Sequence, residues 1–132
     1  LHIYRDTFQP SKYLDAPHAM LASGVCVAPT DEEAQVLRSS QILAFANLRT
    51  GNPGPLPCPV ERVEDHVPPV VLQQVQHALS CSATGAPETV QARLSEIIAH
   101  YQPDEIMLTG AIHDNSARIR SFELAAEVLT AL

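Results

Sequence analysis

No apolar run in this sequence approaches the ~20 consecutive residues that a membrane-spanning helix needs, and no secretory leader pattern opens it. Those absences read as a cytoplasmic chain with no membrane partner. Basic residues are few, eight against 15 acidic ones, and the formal net charge of −7 comes without any basic block. Such a balance argues against a nucleic-acid surface and against an anionic membrane face. Small organic ligands are the partners that remain. Cysteine is also sparse: Cys26, Cys58 and Cys81 are odd in number and far apart, which fits neither a disulfide framework nor a CxxC zinc site. Reduced, structural thiols are the plain reading. No two histidines stand at i, i+4 beside an acid, so no metal is expected. Gly51, Gly54 and Gly85 fit neither GxGxxG nor GxxxxGKS/T, and there is no GxSxG elbow. Dinucleotide and Walker-type phosphate sites, and hydrolases of the elbow type, lose their support.

What is present is ample core material: 45% of 132 residues are hydrophobic, enough for about one domain. The chain opens on Leu1, and LHIYRDTFQPSK reads like the tail of a helix broken at Pro10, as if the sequence began partway through a larger protein. From His18 to Ala28 a small-residue, β-branched stretch of strand length is stopped by Pro29. Thr30 with Glu33 then forms a capping-box pattern, and Asp31 and Glu32 suit the positive end of a helix dipole. That spacing predicts a helix from about Asp31 to Leu48, with Leu37, Ala44 and Leu48 on one stripe and Val36 and Leu43 beside it.

The segment 49–66 is crowded with Gly51, Pro53, Gly54, Pro55, Pro57 and Pro59 and reads as an irregular insertion loop, either a functional cover or a connector. Pro69 suits the first turn of a helix carrying Leu72, Val75 and Leu79 and stopping near Cys81 to Gly85. Val90, Leu94, Ile97, Ile98 and Tyr101 give the clearest helical period, bounded by Pro87 and Pro103. The run EIMLTGA follows as a strand, Glu105 to Ala111, without polar alternation, which predicts burial on both faces. A last helix from about Ser116 places Ile119, Phe122, Ala126 and Leu129 on one face, with Leu124 and Val128 adjoining. Two convincing strands separated by helices make parallel βα units, which collect functional groups at the carboxyl ends of their strands. The polar cluster Thr109 to Ser116 lies at such an end.

Four stretches in this order, GVCVAPTDEEA, LRTGNPGPLPCPVE, GAPETVQARL and PDEIMLTGAIHDNSARIRSFELAAEVL, resemble the carboxyl-terminal part of bacterial luciferase-like, flavin-dependent monooxygenases. The resemblance covers nearly the whole chain. It implies a (β/α)8 TIM-type barrel that uses reduced FMN and dioxygen on a small organic substrate, with a flavin reductase as possible electron source. This chain would supply the last two βα units, with a helical and Pro/Gly-rich insertion between them. One departure is Ala86, where the family usually places a capping Ser or Thr, a loss of about 1 kcal/mol. The family's flavin-phosphate contacts come largely from earlier strands, so the chain alone is not expected to bind FMN.

Four residues invite chemistry. His113 and Asp114 are candidates for acid/base work at a strand end; the competing reading has Asp114 or Ser116 capping the last helix and His113 in solvent. Arg118 and Arg120 lie in the first turn of that helix, where the dipole disfavours a cation. They are candidates for substrate or anion binding, against local ion pairs with Asp114 or Glu123. A non-catalytic alternative has the chain as a self-associating or docking unit, because two strands leave open edges and apolar helix stripes that need cover. A homo-oligomer is the corresponding expectation.

Overall fold

The computed structural model describes residues 1–132. Its elements run α1 (His2–Thr7), β1 (Met20–Val27), α2 (Asp31–Arg49), a 3-10 turn (Val63–Asp65), α3 (Pro69–Ala78), β2 (Ser82–Gly85), α4 (Pro87–Tyr101), β3 (Glu105–Thr109) and α5 (Asn115–Thr130). The three strands form one parallel sheet in the order β2-β1-β3. β1 is central, but each neighbour takes only part of it. Met20 to Gly24 pair with Glu105 to Thr109 of β3, and Gly24 to Val27 pair with Ser82 to Gly85 of β2.

Two strands were expected and three are present. Residues Cys81 to Gly85, read as the end of a helix, are instead ladder partners of β1, with Gly24 N donating to Cys81 O and Ala28 N to Gly85 O, both at 3.2 Å. The stretch SATG carries too little β-branched apolar character to announce a strand. The unpaired edge of β1 recruits it, an instance of tertiary context overriding local propensity. The chain is therefore three βα units rather than two, although β1 and β3, the two strands legible in the sequence, are neighbours.

Along one face of the sheet, Val25, Val27 and Ala83 meet Val90 and Leu94 of α4 and Leu124, Ala125 and Val128 of α5 in one buried cluster, with Ile106 and Leu108 packed against it. The α4 stripe is as its period predicts. The α5 stripe is displaced by one residue: Ser121, Leu124, Ala125 and Val128 are buried, whereas Ile119 is 53% exposed. The small side chains Ser121 and Ala125 allow close approach to β1, and Val27 N donates to Ser121 Oγ at 2.8 Å. Only that face lets α5 sit down on the strand.

Helix α2 also departs from its expected stripe. Its buried residues are Ala34, Arg38, Ser39, Ser40 and Ala46, while Leu48 is 61% exposed. The first half of α2 lies on the sheet through small and polar residues. Its second half turns Ile42, Leu43, Phe45 and Ala46 toward Val67, Leu72 and Val75 in a second, smaller cluster. A single straight stripe cannot describe a helix with two differently placed partners.

β3 is the third correction. Ile106 and Leu108 are half-buried, but Glu105, Met107 and Thr109 are exposed, because β3 is an edge strand with nothing over its second face. That uncovered face continues onto Met20 and Ala22 of β1, which pair with Glu105 and Met107 and so share their side of the sheet. At the amino end, Arg5 Nη1 donates to Tyr101 O at 3.1 Å and Nη2 to Gln102 O, so α1 ties down the carbonyls at the end of α4. No helix is long and apolar enough to cross a membrane.

Candidate functional site

The carboxyl ends of the strands form a rim whose turns are fixed by side chains of the chain itself. After β1, Thr30 Oγ1 accepts Glu33 N at 3.2 Å and caps α2. Asp31 then reaches sideways: its Oδ1 accepts Ala86 N at 2.7 Å and its Oδ2 accepts the Thr89 hydroxyl at 3.2 Å. These bonds hold the Asp31 carboxyl below its usual range, the Ala86 amide contributing most. They also bring a carboxylate to the uncapped start of α4, where Ala86 offers no side-chain cap of its own. Gly85 has φ +150°, and a Cβ there would collide with the Asp31 carboxylate and with Thr89. Only glycine fits that crossing.

After β3, Gly110 is covered by the Phe122 ring; a Cβ would stand 3.0 Å from Val25 O and 3.2 Å from Phe122 Cζ. Ile112 is buried, and the chain then emerges at His113 and Asp114. Asp114 Oδ1 accepts Ala117 N at 2.7 Å, so its carboxylate is spent on capping α5. His113 turns away from it toward the Pro/Gly-rich loop, where its Nε2 lies 3.6 Å from Cys58 Sγ, both side chains being exposed. The loop is anchored nearby by Val60 N, which donates to Ser39 Oγ at 2.8 Å. Arg118 donates from Nη2 to Asn115 Oδ1 at 2.6 Å, and Arg120 makes an i, i+3 ion pair with Glu123 at 3.2 Å. The structure thus brings His113 to Cys58, a partner the sequence reading did not name, and leaves His113, Asp114, Arg118 and Arg120 with separate contacts.

Inside the fold lies the group that the sequence reading missed. Arg38, only 6% exposed, donates from Nη1 to Gln41 Oε1 at 2.6 Å and from Nη2 to Ser82 Oγ at 2.8 Å. Burial pushes its pKa below the ordinary arginine value, opposed by the nearby Cys26 thiol. Burial likewise pushes Cys26 up to about 11, with Arg38 pulling the other way, so Cys26 is a neutral, inert thiol at physiological pH. The sequence signal for this region is the cluster of small residues Ala34, Ser39 and Ser40 beside Arg38, a face that suits close packing better than an apolar stripe. No group of three or more His, Cys, Asp or Glu side chains converges as a metal site would require.

No family-level sequence pattern matches the chain. Among curated proteins, the luciferase-like monooxygenase of Escherichia coli K12 is 39% identical over 128 residues, covering 97% of this chain and 38% of that protein. The uncharacterized protein YvbT of Bacillus subtilis is 38% identical over 128 residues, with the same coverage of each chain. In three dimensions, the crystal structure of apo-MsnO8 matches 98% of this chain and 40% of its own with a TM-score of 0.74 at 22% identity, a likeness of fold alone. The chain thus spans about two fifths of the length of its relatives. Its kinship with the luciferase-like monooxygenases, expected from four stretches of its sequence, is thereby shown: it matches part of those proteins over nearly all of its own length, consistent with a carboxyl-terminal portion.

Proposed function

We propose that this chain is the closing portion of a (β/α)8 barrel in a luciferase-like monooxygenase that uses reduced FMN and dioxygen on a small organic substrate. The observation that carries this reading is the match to the Escherichia coli relative along 97% of the chain. The sheet lends it limited support: its strands are parallel, as barrel strands are, and β3 has an open edge where a further strand could pair, although the spatial order β2-β1-β3 is not the chain order. The exposed residues Met20, Ala22, Met107 and Thr109 of β1 and β3 share a side of the sheet with Cys26 and Thr84, which α2 covers, so that side is open only beside β3.

The residues present do not make a flavin site by themselves. Neither cavity of the chain is lined by the rim residues His113, Asp114 and Arg118. In this reading the chain supplies one wall. His113, at the end of β3, is placed to exchange a proton with a substrate, and exposed Arg118 is placed to hold a substrate anion. Titration of flavin fluorescence separates the cases. A polypeptide spanning the full length of the relatives should bind FMN with a Kd of about 10 µM or tighter, while the 132-residue chain shows no saturable binding. Failure of the full-length polypeptide to bind flavin sinks the proposal.

A second reading concerns the chain alone. Met20 (53% exposed) and Met107 (50%) lie on the uncovered face of the β1–β3 ladder, and the open edge of β3 with apolar cover missing favours self-pairing. The larger stripe on α4 no longer contributes, since Val90, Leu94 and Ile97 are buried within the chain. We expect a two-fold dimer at micromolar concentration by light scattering; a monodisperse species of 14.3 kDa would exclude it.

A further inference from the structure

Between α2, α3, β2 and α4 lies a cavity of about 370 Å3 whose lining includes Arg38, Gln35, Gln76, Ser82, Thr84 and Arg93. It shares no residue with the rim at Cys58 and His113. Arg38 stays protonated in proteins and carries five N–H donors. Its hydrogen-bond partners, Gln41 and Ser82, are neutral, and none of the chain's ion pairs includes it. A buried charge without a counter-ion is costly, and proteins ordinarily pair it. No Asp or Glu lines the cavity, although the chain as a whole is strongly acidic.

The other groups sort into committed and free. Arg93 already donates to Glu96 Oε2 at 2.8 Å and to Ser80 O at 2.8 Å, and the Ser82 hydroxyl donates to Leu79 O while accepting from Arg38. Thr84, Gln35 and Gln76 have no such partners and offer a hydroxyl and two amides to the space beside Arg38. A buried, uncompensated guanidinium, free neutral donors and room for a small organic molecule together describe an oxyanion receptor.

We propose that this cavity binds a small-molecule oxyanion, a carboxylate or a phosphate, with Arg38 as its charge partner and Thr84, Gln35 and Gln76 as neutral donors. The site is separate from the rim, so the result of a flavin titration does not bear on it. Inorganic phosphate and citrate serve as probes, each titrated against sodium chloride of equal ionic strength to remove screening effects. Ligand that binds only the folded chain raises its Tm saturably. We expect such a rise with at least one probe, its loss in Arg38→Met, and an affinity several-fold weaker in Thr84→Val, which leaves Arg38 and its two anchors in place. Should Arg38→Met fail to fold, Thr84→Val and Gln35→Leu decide the matter. A folded parent chain with no saturable rise overturns the proposal, as does an equal rise in a folded Arg38→Met or in both neutral variants. Binding by this chain but not by a polypeptide of the relatives' full length also overturns it, because the counter-ion would then be a carboxylate of the additional segment.

Discussion

The two sides of the sheet are built on different terms. Toward α4 and α5, Val25, Val27 and Ala83 meet Val90, Leu94, Leu124, Ala125 and Val128, all apolar and closely covered. Toward α2, the same strands present Cys26, Ser82 and Thr84, and the helix answers with Arg38 over Ser82 and with Ala34, whose carbonyl accepts the Cys26 thiol at 3.4 Å. Burial of apolar area stabilises the first side roughly in proportion to that area, without directional demands. The second depends on placing each donor opposite an acceptor, so its contribution is small where partners match and negative where they do not. One layer holds the fold together, and the other positions polar groups.

The strongest way to break this contrast is to open the apolar side. Leu94 is fully buried at the centre of the cluster, and Leu94→Ala should cost about 2–5 kcal/mol, against a total stability of about 5–15 kcal/mol for an ordinary domain. Urea denaturation measures it; a loss under about 1 kcal/mol would mean that the α4 side is loosely packed.

On that side α4 was legible, whereas the α5 stripe was expected one residue away from where it is buried. The period of Val90, Leu94 and Ile97 and the Thr30 and Asp114 caps follow from spacing and side-chain chemistry, and each stands in the structure. The polar side was not legible because its logic is pairwise. Nothing local to Arg38 tells that Ser82, far along the chain, will receive its guanidinium. β2 was invisible for the same reason, being a strand only because β1 has an edge to fill. Among the candidate site residues, the capping role of Asp114 could be read from its place before a helix, whereas the approach of Cys58 to His113 depends on the path of an irregular loop.

A smaller effect distinguishes the ties that cross between elements. Asp31 and Asp104 both have carboxyl pKa values lowered in the fold, chiefly by the backbone amides of Ala86 and Ala19 respectively. For a carboxylate whose folded pKa is depressed, the stabilisation is present above the unfolded value of about 4 and is lost as pH falls through the folded one. Thermal stability should therefore decline on acidification below about pH 4, and the decline should flatten in the Asp31→Asn, Asp104→Asn double variant. An unchanged acid limb in that variant would assign the loss to other carboxylates.

The smallest effect sharpens the comparison from the polar side. Ser40 Oγ is buried on α2 without a hydrogen-bond partner. Removing it should therefore cost nothing: Ser40→Ala is expected to be neutral or to stabilise by up to about 1 kcal/mol. Destabilisation by more than that would reveal a partner for the hydroxyl.

The divided pairing of β1 has a consequence for how the molecule breathes. Gly24 is where the two ladders overlap: the residues before it are joined to β3, those after it to β2. Fluctuations that release β3, whose outer face is bare, can run up β1 as far as Gly24 and stop, since Val25 to Val27 are held by β2, with Val25 and Val27 roofed by α4 and α5 and Cys26 by α2. The strand thus belongs to two units that open independently, with its first half sharing the low local stability of the edge and its second half exchanging only when the core itself comes apart.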